Sequence, residues 1–158
     1  MDIKIRLTQP SDLDELCALI KRTVEESFIK VYPTFSIKYV LENQLNIDRI
    51  KKRMENDHFY VATNKGKIIG CACIGVHREN ENWRIIKTVF VDPKCQGSGI
   101  GKMLIDTLEA DARAGNAIRI EVPASLFAVG FYKHLGYEHV DGELHYSDGH
   151  FAMEKFLS

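Results

Sequence analysis

Ile3, Ile5 and Leu7 alternate with Lys4, Arg6 and Thr8. That period of two predicts a half-buried strand, ended by Pro10-Ser11. The period then lengthens. Leu13, Leu16, Cys17, Ile20, Val24 and Phe28 fall on one helical face. Ser11 and Asp14 stand ahead of it in capping-box spacing, with the shorter Asp in place of Glu. A second helical stretch is predicted over 36–55, with Ile37, Leu41, Ile47, Ile50 and Met54 as its apolar marks. Pro33 separates the two helices, and Asn46 is a natural break in the second.

Strand patterns follow. Residues 59–63 and 67–76 flank Asn64-Lys65-Gly66, a hairpin signal. A polar loop at 78–82 leads to a third strand at 84–91, so these three read as an antiparallel meander. A Gly-rich turn (Gly97 to Gly101) then opens a helix carrying Met103, Leu104, Leu108 and Ala112, ended by Gly115. A short strand is predicted at 117–122, a helix at 125–135, and closing strands at 137–140 and 151–156. Strand–helix–strand in this half implies a parallel pair with a right-handed crossover. The expected fold class is therefore α/β (α+β): a mixed, mostly antiparallel sheet of six or seven strands with helices on both faces.

No low-complexity linker or internal repeat divides the chain, so residues 1–158 are expected to form one domain. Twenty-one Lys and Arg against 22 Asp and Glu give a net charge of -1. That argues against a general nucleic-acid binder, which carries a basic excess. The longest nearly uninterrupted apolar run, 68–76, is nine residues, against the ~20 that a spanning helix needs. No membrane segment and no apolar leader are expected, so the chain reads as cytoplasmic. Cys17, Cys71, Cys73 and Cys95 are then reduced, and their spacing, like that of the six histidines, fits no zinc site.

The segment Val89 to Lys102 carries the chemistry. A buried strand runs into a Pro turn, then glycines, then a helix start. Amides at a helix N-terminus have no internal acceptors, the dipole makes that end positive, and glycines let a ligand approach the backbone. Together these suit a phosphate or pyrophosphate. A tight turn with glycines at positive φ would look the same. The P-loop pattern fails, because Met103 follows Gly101-Lys102 and Gln96 stands where its first Gly is required. The dinucleotide pattern fails because Lys102 occupies its last Gly position.

The letters do match Q/R-x-x-G-x-G/A at Gln96, Gly99 and Gly101. This resembles the acetyl-CoA loop of the GCN5-related N-acetyltransferases (GNAT family). Val89-x-Val91-x-Pro93 resembles the strand and turn before that loop. Ala128-Val129-Gly130-Phe131-Tyr132-Lys133-His134-Leu135-Gly136-Tyr137 is similar to the family's A-x-x-F-Y-x-x-x-G-F signature. The order of elements matches over nearly the whole chain.

The resemblance implies an acetyl-CoA-dependent N-acetyltransferase acting on a primary amine, in a small molecule or a peptide, with acetyl-CoA as cosubstrate and no metal. Backbone N–H groups of Gln96, Gly97, Ser98, Gly99, Ile100, Gly101 and Lys102 would hold the pyrophosphate. Phe90 and Val91 would pair with the pantetheine arm as a peptide adds to a sheet edge, on a strand that splays from its neighbour at a bulge. A backbone N–H there would polarise the thioester carbonyl. Tyr132 would protonate the leaving thiolate, with Phe131 beside it free to do the packing. Ser125 stands where the family often has Asn; it can cap the helix but lacks the amide's paired donor and acceptor.

An ammonium must lose a proton before it attacks, so a base is expected. Glu121 is the first candidate, though a solvent-facing carboxylate at a strand end would read identically. Glu25, Glu26, Glu143 and His145 are weaker ones. Tyr32, Phe35 and Tyr39 lie in the segment that borders the acceptor groove in the family. A non-catalytic acyl-CoA-binding sensor on the same fold is the alternative function. Sheet edges leave a homodimer open.

Overall fold

The computed structural model describes all residues, 1–158. In chain order its elements are β1 (Ile3–Leu7), α1 (Leu13–Ser27), α2 (Thr34–Asn43), α3 (Ile47–Asn56), β2 (His58–Asn64), β3 (Lys67–His77), β4 (Asn80–Val91), α4 (Ile100–Ala114), β5 (Arg119–Ser125), α5 (Val129–His134), β6 (Glu138–His139), β7 (Tyr146–Ser147) and β8 (His150–Phe156). The strands form one sheet in the order β1-β2-β3-β4-β5-β8-β6, with β7 on β8. β1–β2, β5–β8, β6–β8 and β7–β8 run antiparallel, and β4–β5 is parallel. This is the mixed, mostly antiparallel sheet that the order of elements predicts.

The chain gathers into two compact units. The first comprises Met1–Cys73 and Thr88–Thr107. Its core joins Leu16, Leu19, Ile20 and Val24 of α1 to Ile37, Ile50, Phe59, Val61, Ile68, Cys71, Cys73 and Phe90. Ile68, Ile69, Cys71, Ala72 and Cys73 are all buried, so this part of β3 shows no alternation. The hairpin at 64–67 forms as predicted, with Lys65 (φ 51) and Gly66 (φ 84) both left-handed, as a two-residue turn matching strand twist requires. Asn46 does break the second helical stretch. Its side chain accepts from Arg49 N–H, at 3.0 Å, and so caps α3.

The entry to α1 differs from expectation. The carboxylate that turns the chain is Asp12, two residues before Asp14. It accepts Gln9 N–H at 2.7 Å and a two-pronged pair from Arg6 at 2.8 and 3.0 Å. Farther along, Asp92 is 4% exposed and accepts Arg22 Nη2 at 2.8 Å and Lys94 N–H at 3.0 Å. That pair ties α1 to the turn after β4.

The second unit comprises Ile74–Lys87 and Leu108–Ser158. The polar loop expected at 78–82 shrinks to a tight turn, because β4 already begins at Asn80. Glu79 N–H donates to His77 Nδ1 at 3.1 Å and closes that turn. Strand pairing here overrides the weak β propensity of Asn and Glu. β5 and β8 pair over seven residues, from Arg119↔Phe156 to Ser125↔His150. Ser125 is therefore the last residue of a strand and not a helix cap. The helix expected at 125–135 is confined to Val129–His134.

One buried carboxylate organises the end of α5. Glu109 is 6% exposed. It accepts Tyr137 Oη at 2.8 Å and Lys155 Nζ at 3.0 and 3.2 Å. Lys155 also donates to Leu135 O at 2.8 Å, the carbonyl that closes the helix. Lys155→Met deletes the ammonium and strands most of that charge. It is expected to lower the unfolding free energy by about 2–3 kcal/mol, read by urea denaturation, with Lys155→Arg losing less.

Acid sensitivity follows from Asp92. Burial pushes its pKa up, but Lys94 N–H and the Arg22 guanidinium outweigh burial and hold it below the ordinary 3.8. A depressed folded-state pKa gives stability that is complete above the unfolded value and lost as pH falls through the folded one. Arg22→Ala raises the folded pKa and so removes part of this stability, and less acid is then needed to unfold the chain. The midpoint of acid unfolding should move upward; an unmoved midpoint would exclude this pair from acid stability.

Candidate active site

The turn after β4 is held by side chains and backbone alike. Asp92 N–H donates to Ile69 O and Cys95 N–H to Asp92 O, both at 2.8 Å. Gln96 Nε2 donates to Val91 O at 3.2 Å and to Ser27 Oγ at 3.5 Å. Ser98 Oγ donates to Cys95 O. Gly97 (φ 84) and Gly99 (φ 83) are left-handed, and a Cβ built on either would meet nothing within 4 Å. The turn thus needs glycine for its φ, and it also leaves open space beside the backbone.

The first α4 bond here runs from Met103 N–H to Gly99 O, at 3.1 Å. Amides ahead of it have no carbonyl one turn back. They open a 15-residue helix whose dipole favours an anion at this end. Ile100 is 1% exposed and packs inward, so only its backbone is available to a ligand. Lys102 Nζ is paired with Asp106 at 2.6 Å. Phe90 turns its ring into the core, 5.8 Å from that of Phe28, and likewise offers backbone alone. Val91 is half-buried.

Pairing of β4 with β5 covers Trp83↔Arg119, Arg84↔Ile120 and Ile85↔Glu121 and stops there. Three residues later Thr88 takes φ 57. A β-branched residue at positive φ is an outlier, and inside a strand it marks a bulge. Its hydroxyl accepts Arg53 Nη1 at 2.9 Å, and its carbonyl accepts Cys71 Sγ at 3.4 Å. Nothing in the local sequence announces this bend, since Thr in an apolar run reads as ordinary strand.

Tyr132, on α5, is 4% exposed. Its ring meets Phe131 and Tyr137 edge-on, with centroids 5.1 and 5.6 Å away. Phe131 is 37% exposed, so packing falls to Tyr132 and not to its neighbour, the reverse of expectation. Burial alone raises the Tyr132 pKa above the ordinary 10, with no hydrogen bond contributing. The phenol is therefore neutral and its proton is not committed to a protein acceptor. Gly130, two residues before, has nothing within 4 Å of an added Cβ.

Glu121 lies inside β5 and not at its end, opposite Glu154 of β8. Its Oε1 accepts Arg119 Nη2 at 3.0 Å and faces His77 Nε2 at 3.5 Å. Arg119 donates Nε to Glu154 at 2.8 Å and stacks over the Trp83 ring at 4.4 Å. Its Nη1 is buried without a partner. Ser125 is buried and gives its carbonyl to Ala128 N–H at 3.0 Å. Glu25, Glu26, Glu143 and His145 are all exposed. Phe35 and Tyr39 are 75% and 58% exposed on α2, while Tyr32 packs on Phe28 at 5.6 Å. No group of three or more metal-binding side chains is gathered, and no helix is long and apolar enough to cross a membrane.

Comparison with known proteins agrees with this geometry. The acetyltransferase (GNAT) domain family matches residues 25–156. Over 75 residues the chain is 32% identical to an IAA acetyltransferase of Azospirillum brasilense, covering 48% of this chain and 45% of that protein. Over 53 residues it is 38% identical to serotonin N-acetyltransferase 2, chloroplastic, of Oryza sativa subsp. japonica, covering 34% and 26%. The matches thus span less than half the length of these curated relatives. The fold is similar to that of the PaiA N-acetyltransferase of Thermoplasma acidophilum in complex with coenzyme A, with a TM-score of 0.85 at 16% identity, over 99% of this chain and 100% of that one. The family match takes in the 96–102 loop, the β4 strand before it and the Ala128–Tyr137 segment after it, and on that extent the chain belongs to the GNAT acetyltransferase family.

Proposed function

We propose that this protein transfers an acetyl group from acetyl-CoA to a primary amine by direct attack in a ternary complex. The observation that carries the reading is the loop before α4: two left-handed glycines with open space beside them, leading into free amides at a helix start. Amides of Gln96 to Lys102 receive the pyrophosphate. Backbone groups of Phe90 and Val91 pair with the pantetheine arm, and an N–H beyond the Thr88 bulge polarises the thioester carbonyl. Gly130 admits close approach of the cosubstrate, and Ser125 offers it one hydroxyl contact.

The amine attacks the carbonyl carbon, a tetrahedral oxyanion forms, and the C–S bond breaks. The thiolate takes its proton from Tyr132. A free phenol is a weaker acid than a thiol (pKa ~10 against ~8.5), and burial raises Tyr132 further, so this transfer needs the thiolate charge localised beside the hydroxyl. Glu121 is the proposed proton acceptor for the incoming ammonium. Its Oε1 is occupied by Arg119, which leaves Oε2 to receive the proton. The acceptor is a small-molecule or peptide amine. The four free thiols favour a reducing, cytoplasmic setting.

The first test is a thiol-release assay with acetyl-CoA over alkylamines, arylalkylamines, polyamines, amino acids and peptides. Turnover with at least one class is expected; tight acetyl-CoA binding with no turnover would make the protein a sensor. Tyr132→Phe should lower kcat about 100-fold and leave the acetyl-CoA Kd nearly unchanged. Because burial raises the Tyr132 pKa above that of a free phenol, any loss of rate from its ionisation is expected at a higher pH than a free phenol would give. An unaltered kcat in Tyr132→Phe would remove the acid role.

A further inference from the structure

Arg53 is an odd use of a charged side chain. It sits in the last turn of α3, and burial lowers its pKa from the ordinary 12.5, with Cys73 and Asp57 working in the opposite direction. Desolvating a guanidinium costs free energy that a good carboxylate fork would offset. Beside the charge of Asp57, its Nη1 donates to the hydroxyl of Thr88, at 2.9 Å. That partner is the residue of β4 with left-handed backbone, φ 57. Such a conformation costs about 1–3 kcal/mol and persists only where its surroundings over-determine it.

Three restraints meet at this bend. Arg53 holds the hydroxyl, Cys71 Sγ holds the carbonyl at 3.4 Å, and the Phe90 ring two residues on is anchored in the core. The strand beyond the bend has little room to drift. A Cβ on Gly70 would stand 3.4 Å from Phe90 O, and Asp92 N–H is fixed to Ile69 O. Val89, Phe90 and Val91 lie between the bend and that anchor. Their direction is therefore set at Thr88, and of the three restraints Arg53 is the charged, directional one.

We propose that Arg53 is a positioning residue for acetyl transfer: its guanidinium holds Thr88 in the left-handed conformation that aims the β4 amides at the thioester. The inference rests on the proposed acetyltransferase reading. It adds a residue from α3.

A double-mutant cycle tests it. Arg53→Met keeps the apolar stem and removes the fork. It should lower kcat about 10- to 100-fold, as expected when reacting groups are misplaced by an ångström or less, with the acetyl-CoA KM within about twofold. Glycine adopts positive φ without strain. In a Thr88→Gly background, Arg53→Met should therefore cause no further loss of kcat. An equal loss in both backgrounds would mean that Arg53 touches the substrate or serves general stability, and would overturn the proposal. So would an unchanged kcat in the single variant. Arg53→Gln, which retains a donor, should fall between Arg53→Met and wild type. Amide hydrogen exchange at Val89–Val91 gives a readout without turnover. Exchange should quicken in Arg53→Met and return to the Thr88→Gly rate in the double variant. If the wild-type protein showed no acetyl transfer while this exchange pattern held, the acetyltransferase reading would fail and the bend's restraint would stand. If transfer occurred without the exchange pattern, the reverse would follow.

Discussion

Backbone polar groups on β4 are the constraint from which the rest follows. Every buried N–H and C=O must find a partner or a ligand. β4 pairs with its parallel neighbour over three residue pairs only. What lies beyond is handled locally: Thr88 O accepts a thiol, Val91 O accepts a Gln side chain, and Asp92 N–H returns to Ile69 O. A strand pinned at its two ends in this way can leave amides between them for an extended ligand. The same logic recurs at the start of α4, where the glycines leave amides ahead of the helical ladder. An acyl-CoA, with an amide-bearing arm and a pyrophosphate, asks for both kinds of donor.

Charged side chains do a different job here. Asp12 with Arg6, Asp92 with Arg22, and Glu109 with Lys155 each bind the end of one element to another part of the chain. Exposed pairs such as Lys21–Glu25 and Lys38–Glu42 lie along helix surfaces and contribute little. The buried ones are placed where a loop or a short helix must hold its position. α5 is six residues long and could not be stable alone. The carbonyl of Leu135, just past its end, is held by Lys155, and the Tyr132 ring rests 5.6 Å from that of Tyr137.

Periodicity made β1 and α1 legible, and Asn64-Lys65-Gly66 the hairpin; the α1 stripe of Leu16, Ile20 and Val24 is fully buried, whereas Leu7 of β1 stays 52% exposed. The loop was legible for another reason: Gly97 and Gly99 are required by φ, so the letters record the geometry. Where reading failed, distant residues decided. Ser125 resembles a helix cap until its antiparallel partner His150 extends β5 through it. Phe131 and Tyr132 point about 100° apart on a helix, and only the surrounding fold selects which faces inward. Thr88 and Arg53 left no signal. A Thr in an apolar strand does not reveal positive φ, and an Arg beside Lys51 and Lys52 reads as solvated surface.

The near-neutral charge of the chain also takes on a physical meaning. Lys102, the cation nearest the start of α4 in sequence, is already paired with Asp106. Phosphate binding by point charges would need free lysines there and would weaken steeply with salt. Binding by oriented amides needs neither, because the donors are fixed by the fold and their dipoles are aligned before the ligand arrives. On the proposed reading, amides of this kind would receive a multiply charged cosubstrate without a basic excess in the chain. Such binding asks for a backbone that cannot relax, and three of the chain's left-handed residues, Thr88, Gly97 and Gly99, fall within twelve positions around the β4 turn.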